Sequence, residues 1–468
     1  MDRRSQVGPA PRSKRLLAIK AEAGDIIWEK SNADTYELMP TTLCVQGDRV
    51  YFQSTSHILC IDARTGQVNW RAGRPVRTNR LSWSAPTLVV HEDVVLSADC
   101  SAEAGGAVTG DKTTWKVTAG TGNKESAVGE LIVFSIKDGS ELRRCETALG
   151  YNSPPDVFVA NDLVWTGNAP GRNTLDFTEG RDLRTGQVKR RLESAAAFTE
   201  THHHRCYRNK ATNQFILLGQ TRFYDRNPQT GEQPEEVIED VELPGTLPDV
   251  LVCDGDYIYL RDKVLGFDGT QKDKYVPHLY SSVGLLDDSW WHRTYWLWGE
   301  RNWGRASGWH VMPNFRPSGR ILVSDEDTVF GYGRRNVKTN NLKGYHLFRA
   351  DKKVTPVNKR IRNNNKALVA HQKPAKVNYH WSRDVPVVVR GMVLAGDVLF
   401  ATGPVMTGDD EPAFDKYAAA EMLAFDTDDG RLLSRCPLDA QPVFDGMAAA
   451  GGRLYVSTLD GKIMCLGR

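Results

Sequence analysis

The feature that most limits what this chain can fold into is a short module that recurs along it. Its clearest copy is Gly47–Trp70, GDRVYFQSTSHILCIDARTGQVNW. Gly47-Asp48 opens a turn. Val50-Tyr51-Phe52, β-branched and aromatic, reads as a strand. Ser54-Thr55-Ser56 is a second turn, and Ile58–Ile61 is an apolar run too short for a helix. Asp62–Gly66 is a third turn, because Asp can bond nearby backbone N–H groups and Gly supplies a positive φ. Val68-Asn69-Trp70 returns as a third strand. The stretch predicts an antiparallel meander of three short strands.

A sheet this small buries both faces only if similar sheets stack on it, so further copies are required. Leu16–Trp28 spaces Gly24 and Trp28 as Gly66 and Trp70 are spaced. Gly129–Cys145 carries the turn Asp138-Gly139, and Arg184–Val188 repeats Arg64–Val68 residue for residue. Gln229-Thr230-Gly231 follows Phe223-Tyr224-Asp225, and Met422–Cys436 and Gly452–Gly467 complete the series. Cysteines fall in register: Cys145 and Cys436 lie equally far beyond Gly139 and Gly430. Cys60 matches Cys465 once a one-residue insertion at the turn is allowed.

The pattern apolar–apolar–Asp–x–x–Thr–Gly–x–x–x–Trp, after a Gly turn and a Tyr-containing strand, resembles the repeat of the PQQ-like β-propellers. That superfamily includes the quinoprotein alcohol dehydrogenases and the outer-membrane assembly lipoprotein BamB. The match is strongest at Asp62–Trp70 and Leu454–Leu466 and weakest across 270–380. The resemblance implies an all-β fold: a single β-propeller of seven or eight four-stranded antiparallel blades over residues 16–468, after a disordered segment 1–15. Loop insertions are expected near 99–128, 272–318 and 352–383. The half-repeats Leu16–Trp28 and Pro442–Leu466 would share a blade and close the ring. Thr41–Val45 is expected as an inner strand, Asp445-Gly446 as a turn into the last strand, and Ala418–Leu423 as the one short helix candidate. Trp28 and Trp70 are expected to cover the seams between blades.

Composition adds bounds. Apolar residues make up 40% and charged residues 25%, with a net charge of +2, so bulk charge points to no acidic or basic partner. No run approaches the ~20 apolar residues of a membrane-spanning helix. The first fifteen residues are basic, without the apolar core of a signal peptide. The resemblance suggests a periplasmic or other extracytoplasmic place, so the compartment stays open. Eight cysteines include no C-x-x-C and no vicinal pair. Cys44, Cys60, Cys253 and Cys465 sit in apolar runs and read as small core hydrophobes.

The resemblance to the quinoprotein dehydrogenases implies a quinone stacked on a Trp, a Ca²⁺ held by Glu and Asn, a catalytic Asp and a vicinal disulfide. Here no vicinal cysteines exist, and no Glu/Asn/Asp set falls on matching motifs. The BamB-like, non-catalytic branch fits better, with no cofactor expected. PQQ with Ca²⁺ in the central channel is the alternative.

Two stretches are candidate binding sites. His202-His203-His204-Arg205-Cys206 concentrates imidazole and thiol, which suit zinc or copper. On a strand, however, only His202 with His204, or His203 with Arg205, can share a face. Arg301–His310 offers Trp303 and Trp309 as flat surfaces beside His310, Arg301 and Arg305, with Gly304 and Gly308 allowing close approach, as for a sugar or aromatic ligand. Lys352–Lys376 is basic but lacks interleaved aromatics, so it reads as a solvated loop and not a nucleic-acid surface. The expected molecule is a monomeric disc that binds a protein or small ligand on one face, using its inserted loops.

Overall fold

The computed structural model describes residues 14–76, 86–101, 129–147, 157–167, 176–194, most of 252–281, 296–299, 316–335, 344–356, 375–406 and 419–467. It also describes the backbone of strands 202–209, 214–218 and 237–243. The described strands fall into two compact units. The first ends with Gln271–Lys272 and the second begins with His278–Ser281.

In the first unit the hairpin Leu16–Ile19/Ile26–Lys30 precedes a first sheet of Cys44–Gln46, Arg49–Gln53, His57–Asp62 and Val68–Gly73. The second sheet is Thr87–His91, Val94–Cys100, Gly129–Ser135 and Glu141–Thr147, and the third is Val157–Ala160, Leu163–Gly167, Asp176–Asp182 and Val188–Ser194. A fourth sheet has His202–Asn209 between Gln214–Leu218 and Val237–Leu243. A fifth has Val252–Asp254, Tyr257–Leu260, Lys263–Gly266 and Gln271–Lys272.

In the second unit the sixth sheet is His278–Ser281, Trp296–Gly299 and Ser318–Gly319. The seventh is Ile321–Ser324, Thr328–Arg334, Tyr345–Asp351 and Tyr379–Arg383. The eighth is Gly391–Ala395, Val398–Pro404, Ala420–Asp426 and Leu432–Leu438, and the ninth is Pro442–Ala450, Arg453–Thr458 and Ile463–Leu466. Neighbouring strands pair antiparallel throughout the described sheets, as the meander reading requires, though the fourth sheet puts its first strand in the middle.

The expected turn chemistry holds. The Asp62 carboxylate accepts from the Arg64 and Thr65 N–H groups at 2.9 and 2.8 Å. Asp182 does the same for Arg184 and Thr185 at 3.0 and 2.6 Å. Gly66 and Gly186 close these turns at φ 70° and 68°, where a Cβ would be strained.

Just beyond the turn, six outer strands carry the same β-bulge. Asn69 is skipped between Val68 and Trp70, and Ile27, Leu142, Lys189, His380 and Leu433 are skipped likewise. An extra residue sharpens the local twist, which makes an outer edge a poor template for a further strand.

The first sheet buries both its faces. Tyr51, Ile58, Cys60 and Trp70 of the first sheet pack on Val95, Ile132 and Phe134 of the second, while Val50, Phe52, Leu59 and Ile61 pack on Leu16 and Trp28 of the hairpin. Phe330 and Trp381 of the seventh sheet meet Leu423 and Phe425 of the eighth.

Several expectations need correction. Ala420–Leu423 begin a strand, because pairing with Val398–Pro404 buries Ala420 and Met422 on one face and Leu423 on the other. The described helical turns are Ala33–Tyr36, capped by Asn32, and Pro40–Thr42. Pro40 starts the latter, so the inner strand is Cys44–Gln46 in place of Thr41–Val45. Asp445 and Gly446 lie inside strand Pro442–Ala450. Tyr379–Arg383, expected within a loop insertion, is the outer strand of the seventh sheet. Strands also occupy 278–281 and 296–299, where an insertion was expected. Cys60 is buried as foreseen, but Cys253 and Cys465 are exposed. Residues 1–13 and 102–128 lie outside the described ones.

Candidate functional site

The His run forms a strand, as its alternation required. His202–Asn209 is the central strand of its sheet, with His203 opposite Glu242, His204 opposite Val241 and Arg205 opposite Leu218. The register shifts between His204 and Cys206 on the Val237–Leu243 side. Only the backbone is described here. Trp303, Trp309 and His310 lie outside the described residues.

What the side chains do build is a repeated lock between neighbouring sheets. The residue after four of these bulges is turned toward the next sheet. The Trp28 indole N–H donates to the Ala63 carbonyl at 2.9 Å, Trp70 donates to Ile136 at 3.0 Å, and Trp381 to Thr427 at 2.7 Å. Each ring lies against the turn glycine of the sheet it reaches: a Cβ on Gly66 would sit 2.8 Å from Trp28, on Gly139 2.5 Å from Trp70, and on Gly430 2.6 Å from Trp381. Glycine is required there twice over, by positive φ and by this close approach. Arg143 takes the same place in the next seam, donating from Nη1 to the Leu183 carbonyl at 2.8 Å and lying over Gly186.

The far end of the first seam is polar, and sequence reasoning missed it. Arg74 is fully buried, with Nη1 donating to Glu130 at 2.8 Å and Nε to the Ser97 hydroxyl at 3.1 Å. Ser97 donates to the Gln53 side-chain carbonyl at 2.6 Å, and Gln53 donates to Asp99 at 2.7 Å. Arg144 adds a second guanidinium to Glu130 at 2.9 Å. Burial pulls the Arg74 guanidinium below its ordinary pKa, and the charges of Asp99 and Glu130 oppose that pull. These residues come from strand ends far apart in sequence, so no local motif marks them; an Arg four residues beyond the seam Trp is the nearest signal.

Chemically this is a held frame. Burial pushes the Cys44 thiol up to about 11 and raises that of Cys60, so neither is a ready thiolate. Among the described residues no three His, Cys, Asp or Glu side chains are grouped to hold a metal ion.

Stacked antiparallel sheets with docked tryptophans are what the resemblance to the PQQ-like β-propeller repeat implies. Residues 9–125 match the family described as outer membrane protein assembly factor BamB. Solved structures similar to this chain include BamB from Moraxella catarrhalis, at 11% identity and TM-score 0.41 over 97% of this chain and 92% of that one. Another is the quinohemoprotein alcohol dehydrogenase ADHIIG from Pseudomonas putida HK5, at 13% and 0.40 over 96% and 67%. The quinohemoprotein alcohol dehydrogenase from Comamonas testosteroni stands at 13% and 0.40 over 95% and 67%. No curated protein sequence matches significantly.

Proposed function

We propose that this protein is a non-catalytic PQQ-like scaffold that presents a binding surface to a protein partner. The observation that carries this reading is the seam. A ring, an indole hydrogen bond and a glycine fitted beneath lock successive sheets, and the first seam adds a buried charged network at its other end. Such a frame holds its connecting loops in fixed relative positions, which suits recognition. The match of residues 9–125 to a family named for outer-membrane protein assembly supports a protein partner.

The test has two arms. Purified protein supplied with PQQ, Ca²⁺ and an electron-accepting dye should not oxidise alcohols or sugars; turnover would overturn the scaffold reading in favour of an oxidoreductase. Deleting 102–128, between strands Val94–Cys100 and Gly129–Ser135, should leave the melting transition in place while abolishing capture of a partner identified with the intact chain. Undiminished capture would remove that segment from the binding surface.

A further inference from the structure

Arg320 is a buried cation that the chain leaves without an acceptor. It stands just before the inner strand Ile321–Ser324 of the seventh sheet, and its N–H donates to the Tyr332 carbonyl at 2.8 Å, beside the pair Ile321 and Tyr332. Its backbone is thereby fixed, and the residue is only 8% exposed. Among the described residues the other buried arginines are engaged: Arg74 donates to Glu130 and Ser97, and Arg316 and Arg390 have contacts of their own. Nothing described accepts a hydrogen bond from the Arg320 guanidinium, and no described carboxylate pairs with it. Taking a charge out of water without a partner is costly. None of its nitrogens is sealed in, so the fork faces a space that solvent reaches.

The ninth sheet supplies one wall of that space. Pro442 opposes Thr458 and Met447 opposes Val456, so 443–446 leave the ladder. The Asp445 N–H donates to the Arg390 carbonyl at 2.7 Å, which pins this excursion against the start of the eighth sheet's inner strand. Phe444 is thereby brought to Arg320, whose guanidinium carbon lies over the ring at 5.7 Å from its centre. The ring is held in turn, because it packs on the cluster that contains Ile321, Tyr332, Val389 and Met392. Burial raises the pKa of the Tyr332 phenol and the charge of Arg320 opposes that rise, which places the cation beside this phenol as well.

The chain itself shows what an enclosed guanidinium takes: Arg74 meets Glu130 at 2.8 Å, and Arg181 meets Glu179 at 2.7 Å. A guanidinium fork fits the two oxygens of one carboxylate, and shelter from water strengthens the pair. Phe444 offers an apolar surface beside the fork for the group that carries the carboxylate. We propose that Arg320 anchors a binding site for a single carboxylate borne on an apolar group, reaching it as a free hydrophobic acid or as the C-terminus of a polypeptide. One unpaired cation balances one negative charge; a phosphate, more highly charged and richer in acceptor oxygens, calls for more donors. The site does not depend on the scaffold reading.

The experiment is calorimetric titration of the full chain with benzoate and with an acetylated peptide ending in a free phenylalanine carboxylate. Benzamide and the C-terminal amide of the same peptide are the neutral counterparts, and inorganic phosphate is the competing anion. The expected result is saturable binding of at least one acid, none of either amide, and roughly tenfold weaker binding in Arg320→Met, the loss of one charge-assisted pair. Saturation by benzoate assigns the site to free acids, and saturation by the peptide alone assigns it to a chain terminus. Arg320→Met removes an unpaired buried charge at similar volume, so it should melt at the same temperature or higher. No saturable binding of either acid to the intact protein, amides binding as tightly as their acids, phosphate binding more tightly than both acids, binding within twofold in Arg320→Met, or a several-degree loss of melting temperature in Arg320→Met would each overturn the proposal. The last would make the guanidinium a structural group.

Discussion

The seam lock makes a quantitative demand on Trp70 and Gly139 together. Trp70 is buried against Tyr51, Ile132 and Phe134, and its N–H meets the Ile136 carbonyl at 3.0 Å. Trp70→Ala should cost about 3–5 kcal/mol, the usual range for emptying a buried aromatic site. Trp70→Phe keeps most of the ring contact and loses one hydrogen bond, so it should cost on the order of 1 kcal/mol more than the lost area alone. Gly139→Ala faces two penalties. A Cβ at φ 72° costs roughly 1–2 kcal/mol, and its approach to 2.5 Å from the indole adds about 1–3 kcal/mol of overpacking. The second penalty exists only while the indole is there. In a Trp70→Ala background, Gly139→Ala should therefore cost only its φ strain, giving a coupling of about 1–3 kcal/mol between the two positions. Urea unfolding followed by far-UV circular dichroism on the two single variants and the double variant measures it. Additivity within about 0.5 kcal/mol would refute the claim that the ring is what reserves the position for glycine.

Other outcomes follow from the same geometry. Arg74→Met takes the buried guanidinium from Glu130 and the Ser97 hydroxyl while Arg144 stays on Glu130 and Gln53 on Asp99, so it should destabilise by about 3 kcal/mol, the lower end for breaking a buried pair, checked by denaturant midpoint. Arg143→Trp restores the ring found at the equivalent places over Gly66, Gly139 and Gly430, and should stabilise by roughly 1 kcal/mol; a drop in melting temperature would show that the seam over Gly186 is shaped for a guanidinium. His346 is 1% exposed, with Nδ1 2.6 Å from the Ser382 hydroxyl, and burial, aided by Arg335, lowers its pKa from 6.5 to about 4. The unfolded chain takes up a proton that the folded chain refuses. Stability is therefore whole above pH 6.5 and falls toward pH 4, by up to about 3 kcal/mol, and His346→Phe should flatten that dependence in thermal melts.

Much of the fold could be read from the chain because its information is local. Asp62–Gly66 and Asp182–Gly186 specify their turns by side chains that bond their own backbone, and the apolar run Ile58–Ile61 specifies a strand buried on both faces. Trp28 and Trp70 announce the seam by recurring at one distance from a turn glycine. The misses have the opposite character. Ala420–Leu423 have helical propensity but are strand because of what Val398–Pro404 offers them. Trp381 performs the docking role without any Thr-Gly turn before it, so the sequence places it within the loop insertion 352–383 and gives no sign of an outer strand there. Arg74, Gln53, Ser97, Asp99 and Glu130 meet only through sheet stacking. Asp445-Gly446 has the composition of a turn, and nothing local distinguishes a turn from a bulge inside a strand.

The two ends of a seam are under different constraints, and comparing the seams by register shows which one varies. Four residues beyond Trp70 stands Arg74; four beyond Trp381 stands Val385. Ser97 opposes Ile132 as Ala401 opposes Leu423, Asp99 opposes Glu130 as Gly403 opposes Glu421, and Gln53 opposes Ile58 as Tyr332 opposes Leu347. Between the seventh and eighth sheets, then, the places of Arg74, Ser97, Asp99 and Gln53 hold Val385, Ala401, Gly403 and Tyr332, while the place of Arg144 keeps an arginine, Arg435, and the docked tryptophan is kept with its hydrogen bond and its glycine. Val385, Ala401 and Tyr332 there join one hydrophobic cluster. A fully connected polar set and an apolar set are both stable solutions, but a half-converted one leaves a buried polar atom without a hydrogen bond, as at the Glu421 Oε2. The lock beside the turns fixes how neighbouring sheets stack, so the opposite end is free to change its chemistry from seam to seam without disturbing the frame. That freedom is what a scaffold requires at the ends of its strands.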